Sequence, residues 1–257
     1  MSDARNISPK KHAPLLIAVA VLGVGFLAGL GVVLYLYWPH LFHPSIEIDR
    51  RVYPVAGIDI SSHNGIINFD TVAAAGYSFV FIKASEGAYY RDSLFAGNAA
   101  AARRAGLAVG AYHFFRKSRD GKRQAQNLLD AIRGIALDMP LVVDVEDWSN
   151  DNGEDSATVR QRLAEMIATL ESQGKQVMIY TNGDGHKKHY LAGGYSRLPL
   201  WLCAFKEPSE IEATPHDFQQ YSHWGTVPGI KGDVDLNIFN GTREQWETWL
   251  KEHKPDK

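Results

Sequence analysis

The pattern of apolar and polar positions divides the chain into two unlike parts. The run LLIAVAVLGVGFLAGLGVVLYLYW, residues 15–38, contains no charged residue and has three aromatic residues among its last four. About 20 apolar residues in a helix span the hydrocarbon core of a bilayer, and aromatic rings favour its interfaces. The run therefore predicts a transmembrane helix. A cleaved signal peptide is the alternative, but the run exceeds the usual apolar core of ~7–15 residues and no clear Ala-x-Ala site follows.

The charges on either side of this run predict its orientation. Three basic residues precede it, whereas the first charged residues after it are acidic. Because basic residues favour the cytoplasmic side, we expect residues 1–14 to form a cytoplasmic tail and the chain from residue 39 to lie on the periplasmic or cell-surface side. Residues 39–53 are a linker. Gly25 and Gly29 form a GxxxG pair, but small residues are common in such helices, so we expect a single-pass monomer.

From about Tyr53 the chain alternates short apolar runs with amphipathic stretches. The apolar runs predict eight strands, over residues 55–61, 79–85, 108–115, 140–147, 176–181, 200–205, 217–222 and 233–239. Helices are predicted between the early strands, over residues 68–75, 93–105, 121–132 and 156–173. This alternation, with continuously apolar strands, is typical of a mostly parallel sheet covered by helices.

The last three strands follow one another with little helix between them. Eight strands in one α/β domain of this length favour a closed or nearly closed TIM-like β/α barrel over residues 54–250, regular in its first half and irregular in its second. Residues 251–257 then form a C-terminal tail. An open doubly wound sheet is the alternative. In both folds the ligand site lies at the carboxyl ends of the strands.

Composition narrows the classes of partner and cofactor. With a formal net charge of −2, the chain has no general attraction for nucleic acid. The single cysteine, Cys203, cannot form an intramolecular disulfide, and no Cys or His spacing indicates structural zinc. His186 and His189 lack a neighbouring acid at the spacing of a metalloprotease zinc site. No glycine-rich loop of the kind that binds phosphate follows a predicted strand. We therefore expect neither a metal nor another cofactor.

The segment LVVDVEDW, residues 141–148, places three acids at the end of an apolar run. Asp144 and Glu146 are two positions apart, so on a strand they share a face with Cα atoms roughly 6.6 Å apart, whereas Asp147 points to the opposite face. Two like charges in a partly dry cleft raise one pKa, which makes a proton donor available near neutral pH. Glycoside hydrolysis uses such a pair. A solvated loop and a magnesium site are the alternatives.

Polar side chains also occur near the ends of most other predicted strands. They are Asp59, Lys83, Glu86, Tyr112, His113, Tyr180, Gln220, Tyr221 and Asp235. In a barrel these ends meet at one face, so the side chains predict a cleft of acids and aromatic rings that suits a neutral or cationic sugar. Each residue also has an ordinary structural role open to it: a Lys83–Glu86 salt bridge, core positions for Tyr112 and His113, and a turn at Asp235.

The motifs that carry these residues resemble those of the family-25 glycoside hydrolases, lysozymes that cleave peptidoglycan. In order they are GIDISSHNG, FVFIKASEG, AGLAVGAYHFF, VVDVED, IYT, PLW, QQYS and VPGIKGDVDLNIF, across about residues 55–241. The resemblance implies an N-acetylmuramidase that hydrolyses the β-1,4 bond between N-acetylmuramic acid and N-acetylglucosamine, on a flattened barrel.

The same resemblance assigns roles to residues of this chain. It implies Glu146 as the general acid, Asp144 as its partner carboxylate, and Asp59 and Asp235 as two further cleft acids. The PLW motif adds Trp201 to the residues expected to bind substrate. Asp144 could orient the substrate's own acetamido group as nucleophile, in which case the reaction proceeds with retention.

The chain departs from the family pattern at positions that do not touch the carboxylates. Asn64 stands where many relatives have Gln, and Phe218 and Gln219 stand where many have Trp before the Gln-Tyr pair. No cell-wall-binding repeats follow the barrel, so the run 15–38 would hold the enzyme near a peptidoglycan strand. Two alternatives stay open: a non-catalytic, membrane-tethered peptidoglycan receptor, and a glycosidase that acts on another N-acetylated glycan.

Overall fold

The computed structural model describes residues 13–41, 46–146, 150 and 153–255. The chain divides into two compact units, Met1–Ser45 and Ile46–Lys257. The first unit contains one long helix, α1 (Ala13–Leu41), and the side chains described on it are exposed. Over the described residues, no helix is both long and apolar enough to cross a membrane.

The second unit is built on a sheet of nine strands. They are β1 (Ala56–Ile60), β2 (Tyr77–Glu86), β3 (Tyr90–Arg91), β4 (Ala108–Phe114), β5 (Leu141–Asp144), β6 (Val177–Asn182), β7 (Leu200–Cys203), β8 (Phe218–Gly225) and β9 (Val234–Phe239). The hydrogen-bonded order is β1-β9-β8-β7-β6-β5-β4-β2-β3, and β1 also pairs with β2. That last pairing closes eight strands into a barrel, which excludes the open doubly wound sheet.

The eight predicted strands are confirmed, and the barrel is irregular in its second half as expected. Strand β9 runs antiparallel to both β8 and β1, because the connection over residues 226–233 is too short for the crossover that a parallel pair needs. The short strand β3 forms a hairpin with β2 that the sequence did not predict. The strand expected over residues 140–147 pairs only as far as Asp144, so β5 is shorter than predicted.

Six helices described in the second unit follow strands, and all of them except α3 begin at a residue whose side chain caps the first turn. They are α2 (Phe69–Ala74), α3 (Phe95–Arg104), α4 (Gly121–Ala131), α5 (Ser156–Ser172), α6 (Gly183–Gly185) and α7 (Arg243–Glu252). The side chains of Asn68, Asp120 and Asp155 accept backbone N–H groups of the first turns of α2, α4 and α5. Such caps satisfy donors that have no partner within the helix, so they fix where each helix starts.

The strands separate two apolar cores. One core lies between the strands and the helices, and the other fills the barrel. Inside the barrel, Phe79 and Phe81 lie over the glycines of neighbouring strands: a Cβ at Gly57 would come within 2.2 Å of the Phe79 ring, and one at Gly110 within 2.4 Å of the Phe81 ring. Because interiors pack to high density, these glycines let the large rings close the barrel below the carboxyl ends of its strands.

Candidate active site

Strand alternation decides which polar side chains enter the barrel. Successive residues of a strand point to opposite faces, so a residue two positions from an interior one is also interior. Asp59, Lys83, Tyr112, Asp144 and Tyr180 each lie two positions after a residue inside the barrel, respectively Gly57, Phe81, Gly110, Val142 and Met178. The structure therefore brings five of the predicted residues to one end of the barrel, above its aromatic core.

Asp144 is the last residue of β5, and Glu146 follows two residues later. Their side chains differ in how far they are exposed to solvent. Asp144 is only 6 % exposed, and among the described residues its Oδ1 has no hydrogen-bond partner. Glu146 is half-buried. Beyond the end of β5, the Val145 amide still donates to the Tyr180 carbonyl at 2.9 Å, which continues the pairing with β6. The buried carboxylate thus lies deeper, with the more accessible one beside it; Asp147 lies outside the described residues.

The pKa of Asp144 is raised well above its ordinary value. Burial is the largest cause, the charge of Glu146 adds to it, and Lys83 opposes it. Removal of a carboxylate from water disfavours its ionised form, and a like charge nearby does the same. The pair formed by Asp144 and Glu146 therefore holds a proton more tightly than two solvated carboxylates would.

The backbone that carries Glu146 is held by one asparagine. Asn150 donates from Nδ2 to the Glu146 carbonyl at 2.9 Å and to the Phe115 carbonyl at 3.0 Å. Its Oδ1 accepts the Lys117 amide at 3.2 Å. Because one side chain joins the segments that follow β4 and β5, it fixes the position of Glu146 relative to the barrel.

Asp59 and Asp235 form a second carboxyl pair across strands β1 and β9. The two residues are directly opposite in the antiparallel register, and their side chains are hydrogen-bonded to each other. Burial, followed by the charge of Asp59, raises the pKa of Asp235 to about 9. Burial also raises the pKa of Asp59, although hydrogen bonds from Asn237 and Gln220 oppose the shift. Two adjacent buried carboxyl groups of this kind share a proton.

Two amides and two aromatic side chains hold Asp59 in place. Gln220 Nε2 and Asn237 Nδ2 both donate to Asp59 Oδ2 at 2.8 Å. Tyr180 donates its hydroxyl to Gln220 Oε1, and Trp201 Nε1 donates to Asn237 Oδ1, again at 2.8 Å each. Since these bonds occupy both amide oxygens, each amide presents its nitrogen to the carboxylate. Sequence reasoning missed Asn237, although it lies two positions after Asp235.

Trp201 forms part of the floor of this site. It is 2 % exposed and stacks on Phe81 with ring centroids 4.3 Å apart. Tyr180 and Tyr112 approach its ring edge-on, at 4.5 and 6.5 Å. Burial, together with the charges of nearby carboxylates, raises the pKa of Tyr112 well above its ordinary value, so its hydroxyl keeps its proton. The site therefore has a floor of apolar aromatic rings and walls of polar side chains.

Lys83 and Glu86 form the salt bridge that the sequence left open as an alternative. Lys83 Nζ lies 2.5 Å from Glu86 Oε2, and Arg116 Nη2 lies 2.5 Å from Glu86 Oε1. Both cations also lie over the Phe114 ring, with Lys83 Nζ 5.1 Å and Arg116 Cζ 4.7 Å from its centroid. One acid and two bases therefore leave this side of the cleft cationic, opposite in sign to the aspartates.

Two of the predicted substrate-binding residues do not lie with this group. His113 is fully buried on the other face of β4, where Nδ1 pairs with Ser85 Oγ at 2.8 Å and Nε2 with Gln124 Oε1 at 3.2 Å. Burial lowers the pKa of His113 to about 4, so it is neutral. Tyr221 is 6 % exposed, and the groups that influence its pKa are Tyr77 and Arg50 rather than the carboxylates.

The described side chains do not form a metal centre. No three His, Cys, Asp or Glu residues within the described ranges are grouped as ligands of one ion. The amides of Gln220 and Asn237 hold Asp59, and Asp144 Oδ1 has no hydrogen-bond partner among the described residues. The arrangement supports proton transfer and hydrogen bonding to a neutral substrate.

Comparisons with known proteins agree with this geometry. Residues 58–230 match the family described as glycosyl hydrolases family 25. The uncharacterized protein YegX of Escherichia coli O157:H7 is 32 % identical over 205 residues, 77 % of this chain and 74 % of that protein. Lysozyme M1 of Streptomyces globisporus is 34 % identical over 203 residues, 73 % of this chain and 68 % of that protein.

A solved structure shows the same fold. The family 25 glycosyl hydrolase from Bacillus anthracis superimposes with a TM-score of 0.70 and 30 % sequence identity. The match covers 81 % of this chain and 98 % of that chain.

Proposed function

Because the chain belongs to family 25 of the glycosyl hydrolases, we propose that it is an N-acetylmuramidase of peptidoglycan. It hydrolyses the β-1,4 bond between N-acetylmuramic acid and N-acetylglucosamine. The observation that carries this proposal is the pairing of a buried Asp144, whose Oδ1 lacks a partner within the described ranges, with the more accessible Glu146. The matched relative from Streptomyces globisporus is named Lysozyme M1, and this name supports peptidoglycan as the substrate.

Glu146 acts as the general acid. Its half-buried position just beyond the end of β5 lets it reach the glycosidic oxygen, to which it donates a proton while the bond to the anomeric carbon breaks. Positive charge then develops on the sugar ring. The ionised Glu146 subsequently takes a proton from the water that completes hydrolysis.

Asp144 acts on the other side of the same sugar. Its Oδ1 is buried and unpartnered in the described part of the chain, so it is available to accept the N–H of the substrate's acetamido group. That bond would turn the acetamido oxygen toward the anomeric carbon as the nucleophile. When the proton that the pair holds lies on Glu146, Asp144 is ionised, and its negative charge would also stabilise the developing positive charge.

Asp59, Asp235 and Tyr112 complete the polar wall. The Asp59–Asp235 pair offers both an acceptor and a shared proton, and Tyr112 offers a protonated hydroxyl. A sugar ring presents hydroxyl and acetamido groups that both donate and accept, so mixed partners of this kind suit it. Trp201 supports these groups from below rather than from the surface.

We also propose that residues 15–38 anchor the enzyme to a membrane, with the N-terminus in the cytoplasm and the catalytic unit outside. The charge-free run, the basic residues before it and the acidic residues after it support the proposal. The side chains described on α1, Val19 and residues 21–35, are exposed. The catalytic unit acts as a monomer.

The products of digestion test the proposed bond specificity. Purified peptidoglycan is incubated with the protein, and the released fragments are reduced and analysed by mass spectrometry. We expect fragments with muramic acid at the reducing end. Fragments with reducing-end N-acetylglucosamine would indicate cleavage of the other bond, and binding without any release would indicate a receptor.

A further inference from the structure

Three aromatic side chains lie exposed near the ends of β7 and β8. Phe205 is 46 % exposed and Trp224 is 36 % exposed, and His223 between them is also exposed. The His223 ring lies 4.5 Å from the Phe205 ring and 4.6 Å from the Trp224 ring, measured between centroids. We call these three residues the aromatic rim. Exposed aromatic rings in contact with one another mark a binding surface more often than scattered ones do.

An irregularity in the backbone of β8 exposes two of these rings, those of His223 and Trp224. In the pairing with β9, Ser222 lies opposite Leu236 and Gly225 opposite Val234, so three steps along β8 match two along β9. The extra residue is a β-bulge, which redirects side chains locally and is common next to active sites. The Trp224 amide donates to Ser222 Oγ at 3.1 Å, which stabilises the bulge.

A buried glutamine holds the segment that carries the third ring. Gln219 Nε2 donates to the carbonyls of Ala204 and Lys206 at 2.8 Å each, on either side of Phe205. Gln219 is fully buried, so its amide is fixed by the packing of β8. Phe205 is therefore exposed on an ordered backbone, which reduces the entropy that a ligand must offset when it binds.

The aromatic rim is continuous with the carboxylate cleft. The Ala204 amide donates to the Gln220 carbonyl at 3.0 Å, and the Gln220 side chain donates to Asp59. Cys203, two residues before Phe205, lies near enough to Glu146 and Asp59 for their charges to raise its pKa, after burial. The rim thus lies a few residues from the reacting centre, on the same end of the barrel.

We propose that Phe205, His223 and Trp224 form a stacking subsite for a hexosamine ring of the glycan strand, outside the two sugars whose bond is cut. The proposal rests on the proposed function, because it takes the same polymer as ligand. One face of a hexosamine ring carries C–H groups and no hydroxyl, so it packs on an aromatic face while its polar edge stays in water. The subsite binds the strand and leaves the chemistry to the carboxylates.

Binding to an inactive variant tests the subsite apart from catalysis. In the Glu146→Gln background, we expect Trp224→Ala and Phe205→Ala to weaken binding of an N-acetylglucosamine hexasaccharide by roughly 3- to 10-fold in calorimetry. Trp224→Phe keeps a ring and should restore most of the affinity. Val52→Ala is the matched control, because Val52 is exposed at the opposite end of the strands. Thermal melts verify that each variant is folded.

Turnover separates this inference from the proposed function. In the active protein, Trp224→Ala should raise KM for long glycan strands by a similar factor and change kcat less than about twofold. Unchanged hexasaccharide affinity in both alanine variants would overturn the subsite. If the parent cuts no peptidoglycan, the proposed function fails, and the hexasaccharide affinities of the variants still decide whether the rim binds sugar.

Discussion

Asp59 and Asp235 lie directly opposite each other on β1 and β9, and their carboxyl groups are hydrogen-bonded inside the cleft. The charge of Asp59 raises the pKa of Asp235, whereas the hydrogen bonds from Asn237, Gln220 and Asp235 lower the pKa of Asp59 against the larger effect of its burial. The folded protein therefore keeps a proton on this pair at a pH where an unfolded chain would have released it.

This pair predicts a specific pH dependence of stability. The pKa of Asp235 rises from 3.8 to about 9 on folding, so its protonation contributes stability that is fully present below about pH 4 and lost as the pH rises through about 9. Asp235→Asn removes that titration. We expect the variant to gain in melting temperature relative to the parent as the pH increases from 5 to 9. Asp233→Asn, at an exposed position two residues earlier, should keep the parent's slope, and an unchanged slope in Asp235→Asn would contradict the shared proton.

The aromatic core below the site predicts that one glycine is essential to the barrel. Phe79 is fully buried and packs against Phe81 and Phe218, with centroids 5.6 and 5.2 Å away, so its ring cannot move from Gly57. Gly57→Ala should lower the free energy of unfolding in urea by roughly 1–3 kcal/mol.

A glycine on a helix provides the control. A Cβ at Gly97, on α3, meets no atom within 4 Å, so Gly97→Ala should leave stability unchanged or raise it by ~0.5–1 kcal/mol. Equal effects of the two substitutions would show that the clash with Phe79 is relieved at little cost.

The sequence predicted the barrel because its strands and helices alternate with strong apolar patterns, and it predicted the paired acids because LVVDVED ends a buried strand. The sequence could not show which of two adjacent polar residues faces the interior of the barrel. Tyr112 and His113, or Gln220 and Tyr221, occupy opposite faces, and which one enters the barrel depends on the register of the closed sheet.

Other features depend on contacts distant in sequence. The role of Asn237 follows from its bonds to Asp59 and Trp201, which are 178 and 36 positions away. The β8 bulge that exposes His223 and Trp224 arises from its pairing with β9. Neither leaves a pattern along the chain that local periodicity can detect.

The apolar run before the barrel predicts a membrane topology. The full-length protein should fractionate with membranes, and protease added from outside the cytoplasm should digest the barrel while it spares residues 1–14. The measurement is immunoblotting with tags at either terminus of the chain. Recovery of a soluble form that begins near residue 40 would instead indicate a cleaved leader.

The unpartnered oxygen of Asp144 predicts the stereochemical course. If the acetamido group is the nucleophile, the product keeps the β configuration of the bond that was cut. Proton NMR during the first minutes of digestion distinguishes the anomers before they interconvert. An α-anomer as first product would mean that water attacks directly and that Asp144 is the base.

The most direct test of the account is the comparison of turnover with binding in Glu146→Gln. The glutamine amide keeps the shape and most hydrogen bonds of Glu146 but has no acidic proton to transfer to the leaving oxygen. Turnover of peptidoglycan should therefore fall by about 10²–10⁴-fold. Sedimentation with the insoluble polymer should stay as in the parent, and Glu212→Gln, at an exposed position, should match the parent in both assays. Lysis by Glu146→Gln at the parent's rate would contradict the assignment of Glu146 as the acid of a muramidase.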